Sequence, residues 1–207
     1  MEETVLAPPT PEQIEKYHNW WSGLSALWKK AFNEAYLRQT SEEPLSDELM
    51  HTLWNAPALR FAGPTAIHPN MTFELEDLSG ITALTNVTIL VVVHQQITSL
   101  EPLVALTNLQ SLFVFNNQLT DISPVAKLGH LKELYFQSNL VESLQPLEHL
   151  TGLKTIYCNY NRIASLEGIG EQHADTLNQF ICLPNELLRD REVMRFEREA
   201  GIRVTKA

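Results

Sequence analysis

Leu84, Leu106, Leu128 and Leu150 stand 22 residues apart, and the residues between them recur in step. Val87, Leu109, Leu131 and Leu153 form one column, Leu90, Leu112, Leu134 and Ile156 a second, Val92, Val114, Phe136 and Cys158 a third, and Gln95, Asn117, Asn139 and Asn161 a fourth. Ile97, Leu119, Val141 and Ile163 follow, then Leu100, Ile122, Leu144 and Leu166, then Leu103, Val125, Leu147 and Ile169. One such unit cannot bury its own apolar face, so successive units must stack and share a continuous core. The spacing therefore dictates a solenoid before any other property of the chain is considered.

The ends depart from the period, as terminal units must if they are to shield an open core. Leu75, Leu78 and Ile81 form a half-unit in step with Ile97, Leu100 and Leu103. At the other end Leu177, Phe180, Cys182, Asn185 and Leu187 arrive two residues late, which places an insertion near Gly170 to Ala174, bulging on the convex side. This divides the chain into an N-terminal helical cap and irregular linker (1–74), a repeat solenoid (75–187) and a C-terminal cap (188–207). In the first part, Thr10 with Gln13 is a capping-box signature and Pro11 suits the first helical turn. Ile14, Tyr17, Trp21, Leu24, Trp28, Ala31 and Ala35 recur at helical spacing over 11–39, as one helix or two with a break. Ser46 is the expected N-cap of a second short helix with Leu49, Leu53 and Trp54 turned inward. Pro57 to Asn70, with Pro57, Gly63, Pro64 and Pro69, is expected to be irregular. Near the end, Asp190 to Ala200 is expected to be a helix stopped by Gly201, with Ile202 and Val204 as a short closing strand.

Within each unit the pattern LxxLxVxxNxL supplies a short parallel strand whose alternate side chains point in and out. The asparagine follows where the chain turns, placed to satisfy backbone groups of adjacent units that burial would orphan. Gln95 departs from that column and is expected to weaken the ladder there. The units LTNLQSLFVFNNQLTDISPVAK and LGHLKELYFQSNLVESLQPLEH, with Pro102, Pro124 and Pro146 at one position, resemble the 22-residue class of leucine-rich repeat. Repeats of that class occur in bacterial internalins and in a leucine-rich regulatory subunit of a protein phosphatase. The resemblance covers about residues 75–187. It implies an α/β repeat fold, a curved solenoid with a parallel β-sheet on its concave face, used for protein binding.

The outward strand positions sharpen that expectation. Val91, Phe113, Tyr135, Tyr157 and Ile181 occupy one outward column, and Val93, Phe115, Gln137, Asn159 and Leu183 the next. With strands ~4.8 Å apart, each column becomes a ladder running roughly 19 Å across the face. Aromatic side chains that bury ~150–250 Å² each would bring this face to or past the size of the largest apolar patch of an ordinary monomer. Tyr135, Tyr157 and Tyr160 have the character of binding hot spots. Ile89, Ser111, Glu133, Thr155 and Gln179, with the flanking His94, Asn116, Ser138 and Tyr160, are expected to form a polar rim. The partner-binding set is thus Val91, Val93, Phe113, Phe115, Glu133, Tyr135, Gln137, Tyr157, Asn159, Tyr160 and Ile181.

Composition removes other classes. The net charge is −10, with 12 acidic against 5 basic residues in 1–83, and no basic patch suits nucleic acid or an anionic membrane. No apolar run approaches the ~20 residues of a membrane span, and MEETVLAPPTPEQ lacks the basic start and apolar stretch of an export signal. A cytoplasmic location is the expectation, with secretion lacking a conventional signal as the alternative. Cys158 and Cys182 read as reduced core residues on neighbouring strands. The seven histidines, His18, His51, His68, His94, His130, His149 and His173, fall in no metal-binding spacing, no phosphate loop is present, and Glu133 is the one carboxylate in the outward columns. We expect a non-enzymatic module without cofactor or metal that binds a protein or peptide. The alternatives are an inhibitor or immunity-type protein that occludes a partner enzyme, a phosphatase-regulator-like subunit, and a scaffold. The expected state is a monomer, with a homodimer through the N-terminal helix and its Trp20, Trp21 and Trp28 as the alternative.

Overall fold

The structure is a computed structural model that describes residues 7–37 and 45–207. Among these residues seven parallel strands form one sheet in chain order: β1 (Ala58–Ala62), β2 (Ile89–Val93), β3 (Ser111–Phe113), β4 (Glu133–Tyr135), β5 (Thr155–Tyr157), β6 (Gln179–Leu183) and β7 (Thr205–Lys206). Each of β1 to β5 is followed by a return segment with a short 3₁₀ turn, such as Glu101–Ala105 and Ser123–Lys127, whose second residue is Pro102 or Pro124. The inward columns of Leu, Val and Ile meet between sheet and turns, and nearly every one of these side chains is completely buried.

The asparagine ladder supplies the polar half of this core. Asn117 Oδ1 accepts from Ile97 N at 3.1 Å, and its Nδ2 donates to Val92 O at 2.9 Å and Val114 O at 3.1 Å. Asn139, Asn161 and Asn185 repeat the pattern one unit further on. Gln95 does not weaken the ladder. Its extra methylene lets Oε1 accept from Leu75 N at 2.5 Å while Nε2 donates to Phe61 O at 3.3 Å. A longer side chain is needed there because the preceding unit is the irregular one.

That unit contains the main departure from expectation. Ala58–Ala62, in the segment expected to be irregular, is strand β1, paired from Ala58↔Ile89 to Ala62↔Val93. Leu59 and Phe61 point inward and are fully buried, so the alternation is that of a strand even though its spacing to β2 is not 22 residues.

The N-terminal cap consists of α1 (Pro11–Gly23), α2 (Ala26–Phe32) with a π turn over Asn33–Leu37, and α3 (Asp47–Trp54). The capping box forms: Gln13 N donates to Thr10 Oγ1 and Thr10 N donates to Gln13 Oε1. The break between α1 and α2 falls at Gly23 to Ser25, and Ser25 caps the new helix by accepting from Trp28 N. In α3, Met50, His51 and Leu53 face inward while Leu49 faces out at 40% exposure, one position off the expected stripe. Arg38 and Gln39, the end of the expected first helix, lie outside the described residues. Trp28 lies against Gly80, where a Cβ would stand 2.1 Å from the indole ring, and donates from Nε1 to Asp77 Oδ1 at 3.0 Å. Burial pushes the Asp77 carboxyl up, but hydrogen bonds from Ser79 and Trp28 outweigh it and leave the group below its usual value.

At the far end the insertion folds into a 3₁₀ turn, Glu171–His173, that carries a fully buried histidine. His173 Nδ1 accepts from Gly170 N, and Nε2 lies 3.1 Å from Leu147 O, so both ring nitrogens are used. Helix α4 (Asp190–Ala200) packs Phe196 and Ala200 on the last unit and ends at Gly201 with φ 69°. Leu188, not Leu187, takes the inward position, because the chain turns towards α4 after Asn185 instead of starting another repeat. The closing strand is Thr205–Lys206, with Ile202 and Val204 buried before it. Cys158 and Cys182 are free and buried, and burial, reinforced by the neighbouring Cys182, pushes the Cys158 thiol well up.

Candidate binding face of the sheet

The strand register places the outward column side by side. Val91 pairs with Phe113, Phe113 with Tyr135, Tyr135 with Tyr157 and Tyr157 with Ile181. Side chains at the same register on parallel strands are held ~4.8 Å apart, close to the distance at which aromatic rings stack. The Phe113 and Tyr135 rings lie 4.4 Å apart at 16°, and Tyr135 and Tyr157 lie 4.5 Å apart at 28°. All three are half-buried, their faces against each other and their edges turned outward. Burial pushes the Tyr135 hydroxyl up, and the charge of Glu133 and the neighbouring Tyr157 add to this, so Tyr135 remains a hydrogen-bond donor at neutral pH.

The remaining expected site residues divide. Val91, Ile181 and Phe115 are half-buried beside the stack, and Phe115 makes an edge contact with His94, ring centroids 5.8 Å apart. Glu133 is half-buried and accepts from Ser111 Oγ at 2.7 Å. Tyr160 is 58% exposed at the flank. Val93 and Asn159, by contrast, are only 4% exposed and offer little surface. Val93 is covered because it pairs with Ala62 of β1, the strand that the 22-residue period does not reveal. Asn159 keeps its Oδ1 buried without a hydrogen-bond partner, as does Gln137 its Oε1. The expected rim is also thinner, since Ser111 and Thr155 are buried.

One flank repeats a feature that residue identity conceals. His94, Asn116, Ser138 and Tyr160 all have left-handed backbone, with φ between 53° and 57°. Of the four, asparagine and histidine enter this region more readily than serine and tyrosine, so the stacked backbone imposes it on Ser138 and Tyr160. Sequence reasoning also missed Arg60, which β1 places beside Val91 and so at the start of the outward column. Its alternation within Ala58–Ala62 is the signal that could have revealed it.

Among the described residues no three of His, Cys, Asp and Glu come together as a metal-binding group, and no helix is long and apolar enough to cross a membrane. The tryptophans of the cap are committed internally. Trp21 and Trp28 are buried, and Trp20 packs on Phe32 and Trp54 while donating from Nε1 to Gly80 O at 3.2 Å.

A family profile for leucine-rich repeats in two copies matches residues 85–127 and 130–171. No curated protein matches the chain. Among solved structures, an internalin (inlF) from Listeria monocytogenes is 21% identical with a TM-score of 0.53, over 88% of this chain and 53% of its own. An internalin C2 from the same organism is 20% identical with a TM-score of 0.52, over 98% of this chain and 100% of its own. A leucine-rich repeat protein from Leptospira interrogans is 18% identical with a TM-score of 0.59, over 79% and 40%. The chain thus spans about half the length of the first of these and less of the third. At such identities the likeness is one of fold, a class whose members generally mediate protein–protein interaction. Residues 85–127 and 130–171 are thus leucine-rich repeats, and the fold of the chain is that of a leucine-rich repeat solenoid, similar to the fold of internalins.

Proposed function

We propose that the chain is a non-enzymatic binding module that holds a protein or peptide on the outer, concave face of its sheet. The observation that carries this reading is the continuous stack of Phe113, Tyr135 and Tyr157. Three rings fixed by the backbone have already lost the side-chain freedom that binding would otherwise cost, about 0.5–1.5 kcal/mol for each flexible side chain ordered at an interface. Their outward edges and two hydroxyl groups combine apolar area with hydrogen bonding, the composition of interface hot spots. Val91, Phe115, Tyr160 and Ile181 extend the surface, and Glu133 contributes its one carboxylate. The packing of the tryptophans into the cap argues against self-assembly through them. Inhibition of a partner enzyme, or regulation of a phosphatase, would use the same face and differ only in what occupies it.

The test is affinity capture by the wild-type chain and by a Phe113→Ala, Tyr135→Ala, Tyr157→Ala variant verified as folded by circular dichroism. A protein retained by the wild type and lost from the variant supports the reading; equal retention by both contradicts it.

A further inference from the structure

The outer face does not end at Val91. Beside it, between β1, the start of β2, the π turn after α2 and residues 68–72, lies an open cleft of about 790 Å³, with walls that include Ala35, Ala58, Pro69, Ile89 and Val91. That volume is in the range of pockets that enclose a compact ligand, ~300–1,000 Å³. Two of its polar groups are already engaged within the fold. Glu34 is spent: its carboxylate accepts from Thr72 N at 2.7 Å and Thr72 Oγ1 at 2.8 Å, and Lys30 Nζ lies 3.7 Å away. Asn70 is spent as well, with Oδ1 taken by Ala62 N and Nδ2 donating to Arg60 O.

What remains is a set of donors. The Arg60 guanidinium is exposed, bonds to the carbonyl of His68, and has no carboxylate within ion-pair distance among the described residues. The Tyr36 hydroxyl accepts from Arg60 N at 3.1 Å, so its own hydrogen is available. Burial pushes that hydroxyl up to about 12, against a smaller opposing effect of the Arg60 N–H, which keeps the hydrogen in place.

We infer that this cleft receives a carboxylate carried beside a large apolar side chain on the bound polypeptide, with Arg60 and Tyr36 as its donors and Ile89, Val91 and Pro69 against the apolar group. The proposal rests on the reading of the aromatic stack as a polypeptide-binding face and names the chemistry at one end of it. A peptide is the occupant because the cleft runs without interruption into the ladder: Arg60 pairs with Val91, and Val91 with Phe113. The excess negative charge of the protein does not oppose this, since charges beyond ~8 Å are screened at physiological ionic strength whereas Arg60 would be in contact.

The test uses a random linear peptide display library selected on the full chain, followed by affinity measurements on synthesised winners. The expected winners share Asp, Glu or a free C-terminus next to a large apolar residue. Their affinity falls about tenfold or more on Arg60→Gln, as for loss of a hydrogen bond to a charged group, and by less on Tyr36→Phe, which leaves the apolar wall in place. It also falls on Tyr135→Ala. Winners that depend on Tyr135 but are indifferent to Arg60→Gln, or that lack a shared carboxylate, overturn the inference and leave the face reading standing. Winners that depend on Arg60 but not on Tyr135 support the cleft and overturn the continuous face. A library without binders overturns both.

Discussion

The chain contains two aromatic clusters that obey different rules. In the cap, Trp20, Trp28, Phe32 and Phe61 meet mostly edge to face: Trp28 and Phe61 are 5.3 Å apart at 83°, and Phe32 and Phe61 are 5.4 Å apart at 79°. On the sheet, Phe113, Tyr135 and Tyr157 stack nearly parallel at 4.4 and 4.5 Å. These rings come from three separate stretches of chain, α1, α2 and β1, and settle into the arrangement that fills a closed volume. The sheet rings are held at strand spacing by their backbone, so they can only stack, and one edge of every ring is left over. The first cluster is used up by folding, whereas the second keeps area that folding does not need. That difference is the physical basis for assigning stability to one and binding to the other.

Substitutions should separate the two, and the largest effect belongs to the cap. Trp28→Ala is expected to cost ~3–5 kcal/mol, the range for a buried aromatic removed from a core, because Trp28 is 1% exposed and its indole also ties the cap to Asp77. Chemical denaturation measures this, and any peptide affinity that survives in the folded fraction should be unchanged. Next comes Leu112→Ala, expected to cost ~2–5 kcal/mol through a cavity in the regular units, again without direct effect on the outward face. Gln95→Asn should cost about 1–3 kcal/mol, the penalty for a buried backbone donor left unpaired. The shorter side chain cannot reach both Leu75 N and Phe61 O. Equal stability of this variant and the wild type would show that the junction between cap and repeats is held by something else.

Smaller still is the effect of Tyr135→Ala on folding, about 1–2 kcal/mol from two stacking contacts on a half-buried surface, together with a marked loss of binding. Equal destabilisation by Tyr135→Ala and Leu112→Ala would erase the distinction between the two faces. The smallest effect concerns acid. Because the Asp77 carboxyl is held below its usual value in the folded chain, its contribution is present above about pH 4, the unfolded value. It is lost as pH falls through the lower folded value. Asp77→Asn should therefore flatten the acid side of the stability profile of the cap, and a profile unchanged by the substitution would count against the Trp28 contact.

Legibility in the sequence followed the period. Columns such as Leu84 to Leu150 and Asn117 to Asn161 could be read because each position recurs four times, and a shared backbone gives each recurrence the same neighbours. The outward column was legible for the same reason, although the stacking of its rings was not, since stacking depends on strand spacing as well as residue type. Strand β1 was hidden because nothing repeats it, and Pro57, Gly63 and Pro64 around it resemble loop residues. With β1 went three consequences: the burial of Val93, the place of Arg60 at the head of the column, and the cleft beside it. Leu49 and Leu187 were misplaced by one position each, at α3 and at the exit from the last unit, where a single helical turn or a change of direction leaves little period to read.

On the proposed reading, the edges of the stacked rings are what a partner covers. Hydroxyl-radical footprinting of the chain alone and in complex with a captured partner tests it most directly, because oxidation of each aromatic side chain reports its own exposure. Phe113, Tyr135 and Tyr157 are expected to be protected together in the complex, while Met194 on α4, 70% exposed and on the far cap, oxidises as before. Unchanged oxidation of the three rings, with protection confined to α4 or the helices of the N-terminal cap, would contradict it.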